Sequence, residues 1–180
     1  AIDDIPKERW DTERYYDPEK NTKGKMYTKQ GGFLKDVDLF DNLFFKISPF
    51  ETESLDPQVR LMLELGYEVI EDAGFDSDKL KGSVTGVFIG MTIVDYIEKD
   101  IRSPNPTAIN AYSVTGTQMS SASGRISFAF GLEGPSITLD TACSSSLTTV
   151  HLACQSLLSG DSNLAIAGGV NLILSPEYHV

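Results

Sequence analysis

The sequence predicts an α/β fold in which a mostly parallel sheet is buried between layers of helices. Three observations support this prediction. Apolar, β-branched segments of strand length recur along the chain, amphipathic helical segments alternate with them, and glycine or proline separates the two kinds. Alternating strands and helices favour parallel pairing, because a crossover helix lets the next strand run in the same direction. The 180 residues are 41% hydrophobic, enough for one domain with a sizeable core.

The first third of the chain is polar and rich in turn signals. Such signals occur at Asp17-Pro18, Lys23-Gly24 and Gly31-Gly32. Residues 40–50 are then apolar and aromatic, and we interpret them as a packing segment rather than a ligand site.

A long amphipathic helix is predicted to start at Asp56-Pro57. The Asp56 side chain can cap the helix, and proline suits the first helical position. Gly74 is predicted to end it. Its apolar face repeats at three- and four-residue steps and comprises Val59, Met62, Leu63, Gly66, Val69, Ile70 and Ala73.

Two segments in the middle of the chain have opposite characters. Residues 84–91 are almost wholly apolar and predict a buried strand, whereas residues 100–112 contain two prolines and predict a loop. Residues 115–130 predict one helix, rich in serine and alanine, that ends near Gly131. Residues 112–123 are candidates for the lining of a substrate channel or for a subunit contact, because small side chains allow close approach.

The last third of the chain predicts a strand, a helix and two further strands. Residues 135–141 alternate like a strand, a helix runs from Cys143 to Gly160, and residues 164–167 and 170–174 resemble strands around Gly168-Gly169. The apolar face of this helix is predicted to comprise Leu147, Val150, Cys154, Leu157 and Leu158.

The charge distribution argues against some partners. The net charge of −11 argues against a nucleic-acid partner, which needs a basic surface. No apolar run is long enough to span a membrane, and the charged N-terminus shows no secretory signal. Ten of the fifteen lysines and arginines lie between Lys7 and Arg60, and none follows Arg125. The nearly charge-free last segment is therefore expected to be mostly interior, as in the centre of a larger body.

The two cysteines, Cys143 and Cys154, are not expected to form a disulfide. On one helix they would be separated by ~16 Å along the axis, which is too far for a bridge. Unpaired thiols suit a reducing, cytoplasmic location. Two cysteines and two histidines without zinc spacing predict no metal site.

Cys143 is the candidate nucleophile. It follows a predicted strand and opens a predicted helix, where unpaired N–H groups and the helix dipole favour a thiolate. The same N–H groups could stabilise an oxyanion on an acyl group attached to the sulfur. Neighbouring alanine and serines leave room for a substrate, as in a nucleophile elbow. From spacing alone, a small buried cysteine remains an alternative.

The other titratable candidates have weaker claims. Cys154 lies among leucine and valine and is expected to pack in the core. His151 would lie ~12 Å along the same helix from Cys143, too far to act as its base, and a surface position is expected. The place of His179, near the end of the chain, is not predictable from the sequence.

The sequence closely resembles the ketosynthase (β-ketoacyl synthase) domains of type I modular polyketide synthases. The resemblance extends in family order over nearly the whole chain. Its segments are Gly31-Gly32-Phe33-Leu34, Phe44-Phe45, Ile47-Ser48-Pro49, Leu55-Asp56-Pro57-Gln58, Arg60-Leu61, Leu63-Glu64, Glu71-Asp72-Ala73-Gly74, Gly86-Val87-Phe88-Ile89-Gly90, Ala122-Ser123-Gly124-Arg125-Ile126, Phe130-Gly131-Leu132-Glu133-Gly134-Pro135, Asp140-Thr141-Ala142-Cys143-Ser144-Ser145-Ser146-Leu147, Val150-His151-Leu152-Ala153-Cys154-Gln155-Ser156-Leu157 and Ala167-Gly168-Gly169-Val170-Asn171.

This resemblance implies a thiolase-like fold of two related halves, usually in a homodimer. It implies that Cys143 takes an acyl group from the phosphopantetheine arm of an acyl carrier protein. A malonyl-type extender would then lose carbon dioxide and attack the acyl group on Cys143, in polyketide or fatty-acid biosynthesis. No cofactor bound by this segment and no metal is expected; other synthase domains are expected partners.

The resemblance also implies that the fold is incomplete. Residues 1–180 correspond mainly to the N-terminal half, without the family's first strand and without the half that carries two catalytic histidines. Neither His151 nor His179 matches those positions. We therefore expect the isolated chain to be inactive in condensation and poorly soluble. Other hypotheses are a thiolase- or chalcone-synthase-like enzyme acting on coenzyme A esters, a structural or condensation-dead segment of a megasynthase, and a cysteine hydrolase.

Overall fold

The computed structural model describes residues 2–99 and 101–178, and the chain divides into two compact units. The smaller unit comprises residues 1–37 and 172–180. Within it, strand β1 (Asp3–Asp4) pairs antiparallel with β2 (Gln30–Gly31), and helix α1 (Thr12–Tyr15) lies between them in sequence. Ile5, Trp10 and Met26 form its core.

The larger unit, residues 38–171, contains the sheet and most of the helices. Its elements are α2 (Pro49–Ser54), α3 (Pro57–Asp72), β3 (Thr85–Met91), α4 (Tyr96–Lys99), α5 (Ser113–Thr117), α6 (Ser121–Phe130), β4 (Ser136–Leu139), α7 (Ser145–Ser159) and β5 (Leu164–Val170). Short 3₁₀ turns occur at Ser77–Leu80, Pro106–Ala108 and Pro176–Tyr178, the last in the smaller unit.

The sheet of the larger unit is parallel, as predicted. The strand order is β4-β3-β5, so β3 is central and is buried at every position. Gly90 pairs with Leu139 on one side and with Gly169 on the other. The carboxyl ends of all three strands therefore lie at one edge of the sheet, where α/β proteins commonly place their ligand sites.

Helix α3 forms as the sequence predicts. The Asp56 carboxylate accepts a hydrogen bond from the N–H of Gln58 at 2.8 Å, Pro57 is the first residue, and Gly74 follows the helix with φ of +77°. Its apolar residues pack into the main core beside helix α6 and strand β5. The predicted face is confirmed at Val59, Met62, Leu63, Gly66 and Ile70, whereas Val69 and Ala73 are exposed.

The predicted single helix over residues 115–130 is wrong. Helix α5 ends at Thr117 and α6 begins at Ser121, with Gln118 extended between them. Side-chain hydroxyls bond to backbone carbonyls here and compete with helical hydrogen bonds. The Thr117 hydroxyl donates to the Ser113 carbonyl, and the Ser121 hydroxyl donates to the Thr115 carbonyl. The end at Gly131, in a left-handed conformation, is confirmed.

The last strand also differs from the prediction. β5 runs without interruption through Gly168-Gly169, and residues 171–174 are not a strand. A Cβ on Gly169 would lie 2.8 Å from the Cβ of Ser146, so this glycine lets the start of α7 pack directly against the strand.

In the aromatic segment over residues 40–50, Phe40, Phe45 and Ile47 pack against the core as expected, whereas Phe44 and Phe50 are about half exposed.

The apolar face predicted for α7 does not face the core of this chain. The side buried against β3 and β5 consists of Ser145, Thr149, Ala153 and Ser156. The exposed side contains the residues predicted to be buried, namely Leu147, Val150, Cys154, Leu157 and Leu158. Small residues on the buried side allow the closest packing on the sheet. The expectation that the charge-free last segment is interior to a larger body stays a prediction, since the exposure is that of this chain alone.

Candidate active site at Cys143

Cys143 lies in the turn between β4 and α7, and its side chain is exposed. The sequence predicts a helix that starts at Cys143, but α7 starts two residues later, at Ser145. Cys143 belongs instead to the preceding turn, in which Ala142 has a left-handed φ of +54° and Cys143 forms an isolated bridge with Thr141. The arrangement of strand, tight turn and helix is that of a nucleophile elbow.

Side chains of the turn hold this conformation. The Asp140 carboxylate accepts a hydrogen bond from the N–H of Ala142 at 2.8 Å. The Ser145 hydroxyl donates to the carbonyl of Ala142 at 2.7 Å and accepts from the N–H of Thr141 at 2.9 Å. The Ser144 hydroxyl donates to the Thr141 carbonyl at 2.7 Å. These bonds offset the cost of the left-handed residue, about 1–2 kcal/mol.

The same Asp140 oxygen ties the turn to the neighbouring strand. It accepts a second hydrogen bond, at 3.0 Å, from the hydroxyl of Thr92, the residue that follows β3. The turn is therefore fixed both within itself and to the central strand of the sheet.

Two glycines allow the turn and the start of α7 to approach the sheet. A Cβ on Gly90 would lie 2.8 Å from the backbone carbonyl carbon and the Cβ of Ser145. A Cβ on Gly169 would meet Ser146 at the same distance. Any larger residue at either position would push the helix away from the strands and move Cys143 with it.

Cys143 opens into a cleft of about 430 Å³ at the carboxyl ends of the three strands. Its described lining contains no charged side chain and no histidine, so the cleft presents no charged partner to a substrate. The lining residues are Gly90, Thr92, Ile93, Ala142, Cys143, Ser145, Ser146, Gly169, Val170 and Asn171.

Two of the N–H groups at the predicted start of the helix are already hydrogen-bonded within the turn. The N–H groups of Ser144 and Ser145 already donate to the carbonyls of Thr141 and Ala142, at 3.4 and 3.0 Å. They close the turn and are not aimed at a substrate. The sequence does not reveal this, because the prediction placed these residues inside the helix.

The other candidate residues are not brought to Cys143. Cys154 is exposed on α7, so its predicted core position is wrong, and both thiols are unpaired. His151 is exposed on the same helix and does not line the cleft. His179 lies outside the described residues.

Residues 112–123 do not line the Cys143 cleft either. Thr115, Ser120 and Ser121 border a separate groove, with Arg125 and Phe128, on the larger unit. Arg125 forms a half-buried ion pair of 2.7 Å with Glu51 of α2. A channel wall formed by these residues is therefore not seen within this chain, and a subunit contact stays a prediction.

The sequence prediction missed Thr92, Ile93 and Asn171 as residues of the cleft. The signal was present in the topology, because all three follow the carboxyl ends of strands that neighbour each other in the sheet. Within residues 2–99 and 101–178, no group of three or more metal-ligating side chains occurs. Over the same residues, no helix has the length and apolar character of a membrane span.

Comparisons with known proteins give one consistent family. The family model described as "Beta-ketoacyl synthase, N-terminal domain" matches residues 1–180. The chain is 51% identical over its full length to the polyketide synthase GfsB of Streptomyces halstedii. It is 48% identical, over 99% of its length, to the polyketide synthase PksM of Bacillus subtilis.

A solved structure agrees in fold. The oxazolomycin ketosynthase domain OzmH KS7 of Streptomyces albus matches 99% of this chain with a TM-score of 0.87 and 40% identity. The chain spans only a small part of these proteins: 3% of GfsB, 4% of PksM and 31% of the solved ketosynthase chain. The predicted thiolase-like α/β fold is confirmed as that of a ketosynthase, in part of its length.

Proposed function

We propose that this chain, which belongs to the β-ketoacyl synthase family, provides the acyl-accepting cysteine of a polyketide-synthase ketosynthase. The observation that carries the proposal is the position of Cys143. Its side chain is exposed, lies in an elbow that side-chain hydrogen bonds hold in place, and opens into the cleft at the carboxyl ends of the strands. The polyketide synthases among the relatives favour this function over the thiolase-like and structural alternatives.

Acyl transfer to Cys143 is the first step of the proposed reaction. The thiolate of Cys143 attacks the thioester carbonyl of an acyl group on the phosphopantetheine arm of an acyl carrier protein. A new carbon–sulfur bond forms, the bond to the arm breaks, and the arm leaves as a thiol after taking up a proton. The largely uncharged cleft accommodates the acyl chain beside the sulfur.

Condensation is the second step. A malonyl-type extender on a carrier protein loses carbon dioxide, and the electron pair left behind attacks the thioester carbonyl on Cys143. A carbon–carbon bond forms as the Cys143 thiolate departs. No histidine lines the described part of the cleft, so we propose that residues beyond this chain assist the decarboxylation.

The proposed partners follow from the family and from the open sheet. They are acyl carrier protein, the other domains of a polyketide synthase and a second copy of the ketosynthase. A homodimer is supported by strand β4, which lies at a sheet edge and exposes Ser136 and Ile137. The unpaired thiols support a cytoplasmic setting.

The first experiment exposes the complete ketosynthase to an acyl-thioester and locates the acyl group by peptide mass spectrometry. We expect the label on Cys143, with loss of labelling in Cys143→Ala. Cys154→Ala is the matched control, since it removes an exposed thiol from α7 and is expected to leave labelling intact. A label on Cys154, or none on Cys143, would contradict the proposal.

The second experiment separates acylation from condensation. Carbon dioxide release from malonyl-carrier protein is measured for the complete ketosynthase and for the 180-residue chain. We expect release only from the complete protein. Release by the 180-residue chain would show that the proposed division of labour between this segment and the rest is wrong.

A further inference from the structure

Three polar side chains near the start of α3 are almost completely buried. Asp56 is 0% exposed, Gln58 1% and Arg60 5%. Burying a polar group costs free energy unless it is hydrogen-bonded, so the partners of these side chains indicate which segments they connect. None of the three lines the Cys143 cleft.

Gln58 links the helix to the segment that follows β3. Its Nε2 donates to the carbonyl of Ile93 at 2.6 Å and to the Asp56 carboxylate at 3.3 Å. The Ile93 carbonyl and the Asp56 carboxylate both accept hydrogen bonds, and the side-chain amide nitrogen of glutamine carries two N–H groups that can donate to both. Glutamine at this position can therefore bridge the helix cap and the segment at once, whereas leucine cannot.

Arg60 holds the same segment further along. Its guanidinium lies over the ring of Tyr96 at 5.7 Å, and its Nε donates to the carbonyl of Leu55 at 2.8 Å. The start of α3 thus fixes the segment that follows β3 at Ile93 and again at Tyr96.

The segment held in this way forms one wall of the cleft. Thr92 and Ile93 both line it. The Thr92 hydroxyl donates to the Asp140 carboxylate at 3.0 Å, and that carboxylate accepts the N–H of Ala142, the residue before Cys143, at 2.8 Å. A continuous set of contacts therefore runs from Gln58 through Ile93, Thr92 and Asp140 to the elbow.

We infer that Gln58 is a positioning residue for Cys143, acting through the Ile93 carbonyl and the bond between Thr92 and Asp140. This inference rests on the proposed function, in which Cys143 accepts an acyl group. Loss of the amide frees the cleft wall at Ile93. Thr92 and Asp140 then hold the elbow less firmly, so the sulfur meets the thioester carbonyl in the productive geometry less often.

A double-mutant cycle in the complete ketosynthase tests the route. The readout is the rate constant for acylation of Cys143 by an acyl-thioester. Gln58→Leu and Thr92→Val are each expected to lower this rate constant about tenfold. The double variant is expected to be little slower than either single variant, because both changes break one route. Additive losses, or an unchanged rate in Gln58→Leu, would overturn the inference.

Gln58→Glu gives a second readout that a purely structural role would not change. A carboxyl group can donate to the Ile93 carbonyl only when protonated, and the adjacent Asp56 carboxylate favours its protonated form. The acylation rate relative to the unaltered protein is expected to recover as the pH falls. A ratio that does not change with pH would count against the inference. This variant also serves if Gln58→Leu fails to fold.

Ile70→Ala is the matched control for stability. Ile70 is 3% exposed in the same helix, ~18 Å along its axis from Gln58. Its loss is expected to lower stability and to leave the acylation rate of the folded protein unchanged. An equal fall in rate would reduce Gln58 to a structural residue. If the unaltered protein is not acylated on Cys143, the proposed function itself fails; equal acylation with and without the Gln58 amide refutes the positioning role alone.

Discussion

Helices α3 and α7 are of similar length and both carry an apolar stripe in sequence, yet they bury opposite kinds of side chain. Helix α3 buries its large residues, including Val59, Leu63 and Ile70, in the main core. Helix α7 buries small and hydroxyl side chains, such as Thr149 and Ala153, and leaves Leu158 81% exposed.

Helix α3 only has to fill the core, whereas α7 must also approach the sheet closely. The face of α7 toward β3 and β5 must let the helix backbone approach the sheet, because the Cys143 elbow leads directly into its first turn. Small residues satisfy that demand. The large apolar residues of its other face are consistent with a further layer in a complete ketosynthase, since this chain spans only 31% of the solved oxazolomycin ketosynthase chain.

The largest expected effect tests that contrast directly. Leu63→Ala is expected to lower the free energy of unfolding by about 2–5 kcal/mol in any context, because Leu63 is 1% exposed. Leu158→Ala is expected to cost less than about 0.5 kcal/mol in the 180-residue chain and clearly more in the complete ketosynthase. Urea unfolding of both proteins measures this, and a neutral Leu158→Ala in the complete protein would contradict a covering layer.

The next effect concerns the close approach of α7 to the sheet. Gly90→Ala is expected to cost about 1–3 kcal/mol and to slow acylation of Cys143, because the added Cβ would lie 2.8 Å from Ser145. Gly124→Ala in α6 is the control, since no atom lies within 4 Å of the added Cβ. Calorimetric unfolding and acylation assays of both variants decide the point, and equal behaviour would show that the approach is looser than described.

A smaller effect is expected from the hydroxyl of Thr149. It is 0% exposed and donates to the carbonyls of Ser146 at 2.7 Å and Gly168 at 3.1 Å. Thr149→Val keeps the shape and should cost about 1 kcal/mol. Thr115→Val, at an exposed helical threonine, is the control and should be nearly neutral in the same denaturation experiment. An equal cost at both sites would show that the buried hydroxyl of Thr149 contributes no more to stability than an exposed one.

The smallest effect is a change in pH dependence at the cap of α3. Burial raises the pKa of the Asp56 carboxyl, and hydrogen bonds from Gln58 and from the backbone of Tyr96 oppose that rise. The stability from the raised pKa is fully present below the ordinary aspartate value of 3.8 and is lost as the pH rises through the folded-state pKa.

Asp56→Asn keeps a capping oxygen and removes this titration. Its stability relative to the unaltered protein is therefore expected to improve as the pH rises from 3.8 through the folded-state pKa. Urea unfolding at a series of pH values measures the difference. A stability difference between the two proteins that stays constant with pH, or that changes in the opposite direction, would show that burial does not disfavour the charged form of Asp56.

Local signals predicted the parts of the fold that depend on local chemistry. The cap at Asp56, the left-handed glycines after α6 and α7, and the buried strand β3 all follow from residue type and spacing. The position of Cys143 between a strand and a helix was predicted as well. The direction in which α7 faces was not, because periodicity locates an apolar stripe but does not say which layer covers it.

The remaining misses have the same kind of cause. The break between α5 and α6 arises from hydroxyl groups that bond to nearby carbonyls, which composition does not reveal. The contact from Thr92 to Asp140 joins residues 48 positions apart, and only the pairing of β3 with β4 brings them together. The elbow was therefore predictable as a turn but not as a structure tied to its neighbouring strand.

That contact limits where ketosynthase sequences could be recombined. The bonds among residues 140–145 travel together in any exchanged piece, but the donor to Asp140 lies on the far side of residues 93–139. A crossover within residues 93–139 would join one parent's elbow to the other parent's Thr92 and Gln58. Chimeric synthases with boundaries outside residues 58–145 would inherit the Cys143 elbow together with its supports from a single parent.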